Sequence, residues 1–133
     1  MKIEMLKAKL HRACVTHADV NYEGSLGIDG ELMDAAGLYA YEKVLVANID
    51  NGTRLETYVI REPAGSRRIV LNGAAARLGS AGDRVIIMSF CMVEESEVRA
   101  GRFHPRVVCL NAANEPTRHG AKDRTAPCTD AVG

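Results

Sequence analysis

Apolar and polar positions alternate with period two through the first ten residues. Met1, Ile3 and Met5 stand against Lys2 and Glu4, then Leu6, Ala8 and Leu10 against Lys7 and Lys9. Such alternation predicts a strand with one buried face. The phase flips between Met5 and Leu6, which calls for a bulge or a change of sheet partner there. A second extended segment is expected from about Arg12 to Tyr22, followed by a turn at Gly24. Asp29 suits a helix N-cap, Gly30–Ala36 a short helix and Gly37 its stop.

Lys43 to Ile49, the turn Asp50-Asn51-Gly52 and Thr53 to Ile60 read as a β-hairpin, because Asn-Gly tolerates the backbone angles of a tight turn. In its second strand Arg54, Glu56 and Tyr58 share one face, and Leu55, Thr57 and Val59 the other. Arg68 to Leu71 predicts a short strand, with Asn72 as cap of a brief helix through Ala74-Ala75-Ala76. Ala81-Gly82-Asp83 turns into the most apolar strand, Arg84 to Val93, and a last strand is expected at Arg106 to Leu110. Short strands, frequent turns and two short helices predict a mainly β fold, a small closed or nearly closed barrel. Apolar periodicity is lost from about Asn114. The expected domain therefore spans residues 1–113, and residues 114–133 are expected to form a mostly disordered tail.

A chain of 133 residues is one domain's worth, too short for separate cofactor and substrate domains. Seventeen Lys plus Arg balance seventeen Asp plus Glu, so no net field gathers nucleic acid or anionic lipid. Four Tyr, two Phe and no Trp leave few platforms for stacking bases. Apolar runs reach only four residues, as at Val85–Met88, and no secretion signal is evident at the N-terminus, so a cytoplasmic protein with no membrane or nucleic-acid partner is expected. Cys14, Cys91, Cys109 and Cys128 lack metal-site spacing. Cys91 and Cys109 sit in apolar stretches and read as small buried hydrophobes rather than disulfide partners.

Phosphate loops, zinc-protease helices and nucleophile elbows are all missing. His11, His17, His104 and His119 are scattered and form no metal cluster. What stands out is Tyr22-Glu23-Gly24-Ser25, where an extended segment ends. Glycine before serine permits a strained turn that lays the hydroxyl against the preceding carbonyl carbon. An N-to-O acyl shift there would give an ester. Its β-elimination would cut the chain between Gly24 and Ser25 and leave dehydroalanine, which hydrolyses to an N-terminal pyruvoyl group. That group can form a Schiff base with an amine and act as an electron sink, without metal or pyridoxal phosphate. Gly65-Ser66 and Gly79-Ser80 offer the same dipeptide, so the pair alone says little.

Its surroundings say more. Lys9-Leu10-His11-Arg12, Val15-Thr16-His17-Ala18-Asp19, Tyr22-Glu23-Gly24-Ser25, Ile28-Asp29, Asp34-Ala35-Ala36-Gly37, Asn51-Gly52, Arg54, Thr57-Tyr58 and Asn72-Gly73-Ala74-Ala75-Ala76 resemble, in order and spacing, the pyruvoyl-dependent aspartate 1-decarboxylases. The resemblance spans about residues 1–110. It implies a double-psi β-barrel, a homotetramer with shared active sites, and conversion of L-aspartate to β-alanine and carbon dioxide for pantothenate and coenzyme A synthesis.

By that resemblance Ser25 becomes the pyruvoyl group and Gly24 the new C-terminus of the small chain. Tyr58 matches the proton donor, a role that suits a phenol, which with a reference pKa of about 10 keeps its proton at neutral pH. Arg54 matches a carboxylate-binding arginine, whose guanidinium fork fits a dicarboxylic substrate. Lys9 and His11 match residues lining the site, and Thr57 a donor to the oxyanion formed on Gly24 during cleavage. Asn72 matches a residue that positions the cleavage loop or substrate, and Gly73, Ala74 and Ala75 would offer backbone N–H groups to a carboxylate. Leu26-Gly27 departs from the pattern, with Gly27 expected to loosen the strained turn. Some relatives need a helper acetyltransferase-like protein to mature, and the sequence leaves that partner open here. Two other readings stay compatible with the residues: an oligomeric barrel that binds a partner and never cleaves, and a pyruvoyl decarboxylase of another acidic amino acid.

Overall fold

The alternating segments become strands of one barrel in the computed structural model, which describes residues 1–117 and 128. Most of the tail expected to be disordered lies outside the described residues. In chain order the elements are β1 (Lys2–Cys14), β2 (His17–Asp19), β3 (Ser25–Asp29), α1 (Gly30–Ala36), β4 (Lys43–Asn48), β5 (Arg54–Glu62), β6 (Ile69–Asn72), a 3-10 turn (Gly73–Arg77), β7 (Arg84–Glu94), α2 (Glu95–Arg99) and β8 (Arg106–Cys109). The sheet runs β2-β6-β3-β5-β4-β7-β1-β8. β1 passes through Val15 and Thr16 into β2, so one continuous segment borders both β7 and β6, while β8 lies at the other end of the order, paired parallel to β1. The Thr16 amide donates to the Ile69 carbonyl at 2.8 Å, and the Ile69 amide donates to the Thr16 hydroxyl at 3.0 Å. That seam closes the barrel between the β1–β2 segment and β6, with β8 left as the outermost strand.

The phase flip of β1 is a bulge at Lys7, where the register against β7 slips between Leu6 and Ala8, and a second slip falls between Leu10 and Ala13. From Ala8 onward the inward residues are fully buried, and Leu10, Leu26, Ile28, Val44, Val46, Val59, Ile69, Leu71, Val85 and Ile87 fill the interior. Helix α1 lies against it with Leu32, Met33 and Ala36 buried. Full burial of one such Leu or Ile side chain is worth about 1.5–3 kcal/mol, so the interior dominates stability.

Both ends of α1 follow the sequence expectation. The Asp29 side chain accepts from the Glu31 amide, and Gly37 closes the helix in the left-handed conformation at φ 74°. Asp29 also accepts from the amides of Gly65 and Arg67, at 2.8 and 2.7 Å. Burial alone pushes its carboxyl up. The three amides and the Arg67 guanidinium outweigh that and hold it below the usual range.

Several expectations need correction. The fully buried β3 was not expected, because Ser-Leu-Gly-Ile has no polar alternation to betray it. Gly27 loosens nothing: it lies inside β3, paired with Ile60 and Val70, and the Glu62 carboxylate oxygen lies 2.9 Å from where its Cβ would stand. Helix α2 was also unforeseen, although its acidic first turn and Arg99 in the last turn suit the helix dipole. Cys109 is joined to Cys128 by a disulfide, with Cα atoms 5.6 Å apart, rather than filling the interior as a thiol. Cys91 is a free, half-buried thiol, because it falls after the inward run of β7 has ended. The packed chain also outlasts the composition change at Asn114. That side chain is 1% exposed, binds the backbone of Cys14 and Arg67, and is followed by a bridge from Leu110 to Pro116. No helix among the described residues is long and apolar enough to cross a membrane.

Candidate active site

Ser25 opens β3 between β5 and β6, directly across from Asn72. Only 2% of it is exposed. Its hydroxyl accepts from Asn72 Nδ2 at 3.0 Å and donates to the Glu23 carbonyl at 3.4 Å. Asn72 was expected to cap the following helix, but its side chain makes no cap hydrogen bond. It is spent on Ser25 instead.

Gly24 precedes this buried hydroxyl on an exposed loop, with nothing within 4 Å of a Cβ placed on it. Gly73 presses against the same loop from the other side. At φ 62°, a Cβ there would stand 2.7 Å from Gly24 Cα and 2.8 Å from both the Gly24 nitrogen and the Tyr22 carbonyl oxygen. Glycine is therefore required at residue 73 by both conformation and space. A pocket of about 150 Å³ opens over the Gly24-Ser25 bond, lined by Leu55, Glu56, Thr57, Asn72, Ala74, Ala75 and Leu78. Clefts for drug-sized ligands run to roughly 300–1,000 Å³, so this one admits only a small molecule. A wider groove, about 550 Å³, lies beside it along His17, Tyr22 and Arg68 and shares Asn72, but it does not reach Ser25.

One chain thus gathers Gly24, Ser25, Thr57, Asn72, Gly73, Ala74 and Ala75. It does not bring Lys9, His11, Arg54 or Tyr58 to them. Along β5, Leu55, Glu56 and Thr57 line the pocket, whereas Arg54 and Tyr58, both exposed, do not. Across the outer face Arg54 pairs with Ala47 and Ala47 with Ile86, and in the next row Glu56, Leu45, Met88 and Lys9 follow one another. Half-buried His11 continues the outward alternation of β1 and pairs with Cys109 of β8. The result is a basic margin, Lys9 and Arg54, around half-exposed Leu45, Ile86 and Met88. No group of His, Cys, Asp and Glu able to hold a metal ion occurs among the described residues.

Leu55, Glu56 and Leu78 line the pocket without having been singled out in the sequence. For Leu78 the reason is tertiary. Its carbonyl accepts from Asn51 Nδ2 at 2.9 Å, from Thr53 Oγ1 at 3.1 Å and from Asn48 Nδ2 at 3.4 Å. The β4–β5 turn thereby holds the end of the 3-10 turn that presents Ala74 and Ala75. The Asn51-Gly52 signal was visible in the sequence, but its partner 27 residues away was not.

Comparison with known proteins gives a consistent result. Residues 1–117 match the family model described as aspartate decarboxylase. The chain is 51% identical over 121 residues to the aspartate 1-decarboxylase of Thioalkalivibrio sulfidiphilus, covering 91% of this chain and 94% of that one. It is 53% identical over 118 residues to that of Salinibacter ruber, covering 89% and 80%. Against the aspartate 1-decarboxylase of Clostridium acetobutylicum, identity is 54% over 114 residues, covering 86% and 88%.

Proposed function

The chain belongs to the aspartate decarboxylase family, and from that membership we propose that it converts L-aspartate to β-alanine and carbon dioxide, using a pyruvoyl group made from its own Ser25, for pantothenate and coenzyme A synthesis in the cytoplasm. The observation that carries the reading is the buried Ser25 hydroxyl, held by Asn72 beside an unobstructed Gly24. A pyruvoyl group keeps the three-carbon skeleton of serine, so the space that Ser25 fills is the space the group needs.

In the processing step, Ser25 Oγ attacks the Gly24 carbonyl carbon. The C–O bond forms as the C–N bond breaks, and the hydroxyl proton passes to the released amine. Thr57, in the same pocket, supplies a hydroxyl to the transient oxyanion. Removal of the Ser25 Cα proton expels Gly24 as a carboxylate and leaves dehydroalanine. Water then adds and ammonia departs. The ketone so made supplies an acceptor for the electron pair of the breaking carbon–carboxylate bond.

The other residues act around it. Arg54 grips a substrate carboxylate through two parallel N–H bonds, with Lys9 and His11 beside it. Tyr58 returns a proton to carbon. Asn72 and the Gly73–Ala75 backbone orient the reacting end. Arg54, Tyr58, Lys9 and His11 are not among the residues that line the Ser25 pocket of the same chain, so this reading needs a second copy whose outer face meets the pocket. A homotetramer with shared sites supplies it.

Intact-mass analysis tests the first requirement. Wild type should give two pieces, residues 1–24 and 25–133, while Ser25→Ala stays whole and inactive. A folded wild type that never cleaves, even with a maturation factor present, would end the proposal.

A further inference from the structure

Tyr41 adopts the left-handed backbone conformation, at φ 71°, which bulky side chains resist and which turns ordinarily fill with Gly or Asn. The loop holds it there from several sides. The Tyr41 amide donates to the Val59 carbonyl at 2.7 Å, and the Val59 amide donates to the Glu42 carbonyl at 3.0 Å. Glu42 in turn accepts from Lys7 at 2.7 Å and from the Tyr39 amide at 3.0 Å. The loop is thus fastened to β5 one residue from Tyr58 and to the bulge of β1.

Within one chain the ring presented this way is 78% exposed, so packing in the chain's own interior does not account for a tyrosine at a strained position. What it meets is Tyr58, with ring centroids 6.2 Å apart and planes inclined by 32°. Tyr58 is itself 38% exposed. Lys43, its cross-strand partner, is drawn to Glu56 at 2.7 Å and so is held by another group.

We propose that Tyr41 is a positioning residue for decarboxylation, its ring fixing the rotamer from which the Tyr58 hydroxyl delivers its proton. The inference rests on Tyr58 being the donor. A half-exposed strand tyrosine samples up to about three staggered χ1 wells, and a ring that blocks the unproductive ones raises the poised fraction by up to about threefold. Strain held by an over-determined loop beside a reacting group fits that use.

Tyr41→Asn separates positioning from folding, because asparagine relieves the backbone while removing the ring. The melting temperature should stay level or rise, and cleavage between Gly24 and Ser25 should remain complete by mass. The kcat for β-alanine should fall about threefold with KM for aspartate unchanged. Nitration of Tyr58 by tetranitromethane, read by peptide mass, should quicken by about the same factor. Tyr41→Phe should restore both. An unchanged kcat, an unchanged nitration rate, or a kcat loss that tracks a lowered melting temperature overturns the proposal. Tyr58→Phe, run alongside, tells the failures apart: normal turnover there removes the donor assignment and this inference together, whereas slow turnover there with normal turnover in Tyr41→Asn removes only the inference.

Discussion

Gly73 shows how one residue ties conformation to chemistry. Its positive φ and its contact with the Gly24 backbone mean that Gly73→Ala must push the Gly24 loop, the proposed cleavage point, outward by several tenths of an ångström or twist the 3-10 turn. The core does not depend on that contact, so the variant should fold, with a stability loss of about 1–2 kcal/mol from backbone strain. Self-cleavage should slow by far more than that loss explains. Timed mass spectra of fresh protein against urea unfolding would measure both, and a variant that cleaves at the wild-type rate would show that the Gly24 backbone does not need this support. Sequence pointed to Gly73 through its place after Asn72, but not to the reason. The neighbour lies across 49 residues of chain, and no local pattern encodes that approach.

Among the elements, α1 and the β4–β5 hairpin were legible because their signals are local: a cap at Asp29, a stop at Gly37, a turn at Asn51-Gly52. Strand β3 was not, since its partners are distant and both its faces are buried. The same Asp29 that caps α1 also receives the Gly65 and Arg67 amides, and this gives it a pH signature. Its carboxyl is held below the ordinary range in the fold. Its contribution is therefore complete above the unfolded carboxylate pKa of about 3.9 and is lost as pH falls through the lower folded value. Asp29→Asn keeps one acceptor and loses the charge, much as protonation does. It should cost about 1–2 kcal/mol at pH 7, and the gap to wild type should close below about pH 4. A gap that stays constant to pH 2 in urea titrations would show that the amides do not read the charge. Asp34 and Glu97 are also held low, by hydrogen bonds from Arg61 and Arg102, but both pairs are solvent-exposed and add little.

For the whole molecule, period-two patterning was enough to foresee a barrel, while closure through the Thr16–Ile69 seam and the Cys109–Cys128 link were beyond it, because both join segments whose sequences carry no mark of each other. On the proposed reading the site is divided between subunits. Leu55, Glu56 and Thr57 of β5 line the Ser25 pocket, whereas Arg54 and Tyr58 of the same strand do not, so the proposed site draws those two from a second chain. If Ser25 of one subunit works with Arg54 of another, Ser25→Ala and Arg54→Ala each yield a nearly inactive protein when made alone. Made together, they form mixed assemblies in which a site that draws Ser25 from the Arg54→Ala subunit and Arg54 from the Ser25→Ala subunit is intact. Random mixing at equal dose places both conditions in about a quarter of sites. Co-expression should therefore recover about a quarter of wild-type turnover, whereas mixing the separately purified variants should recover little until subunits exchange. Were Ser25 and Arg54 to act within one chain, no mixed assembly would contain a complete site, and co-expression would leave activity at the level of the single variants.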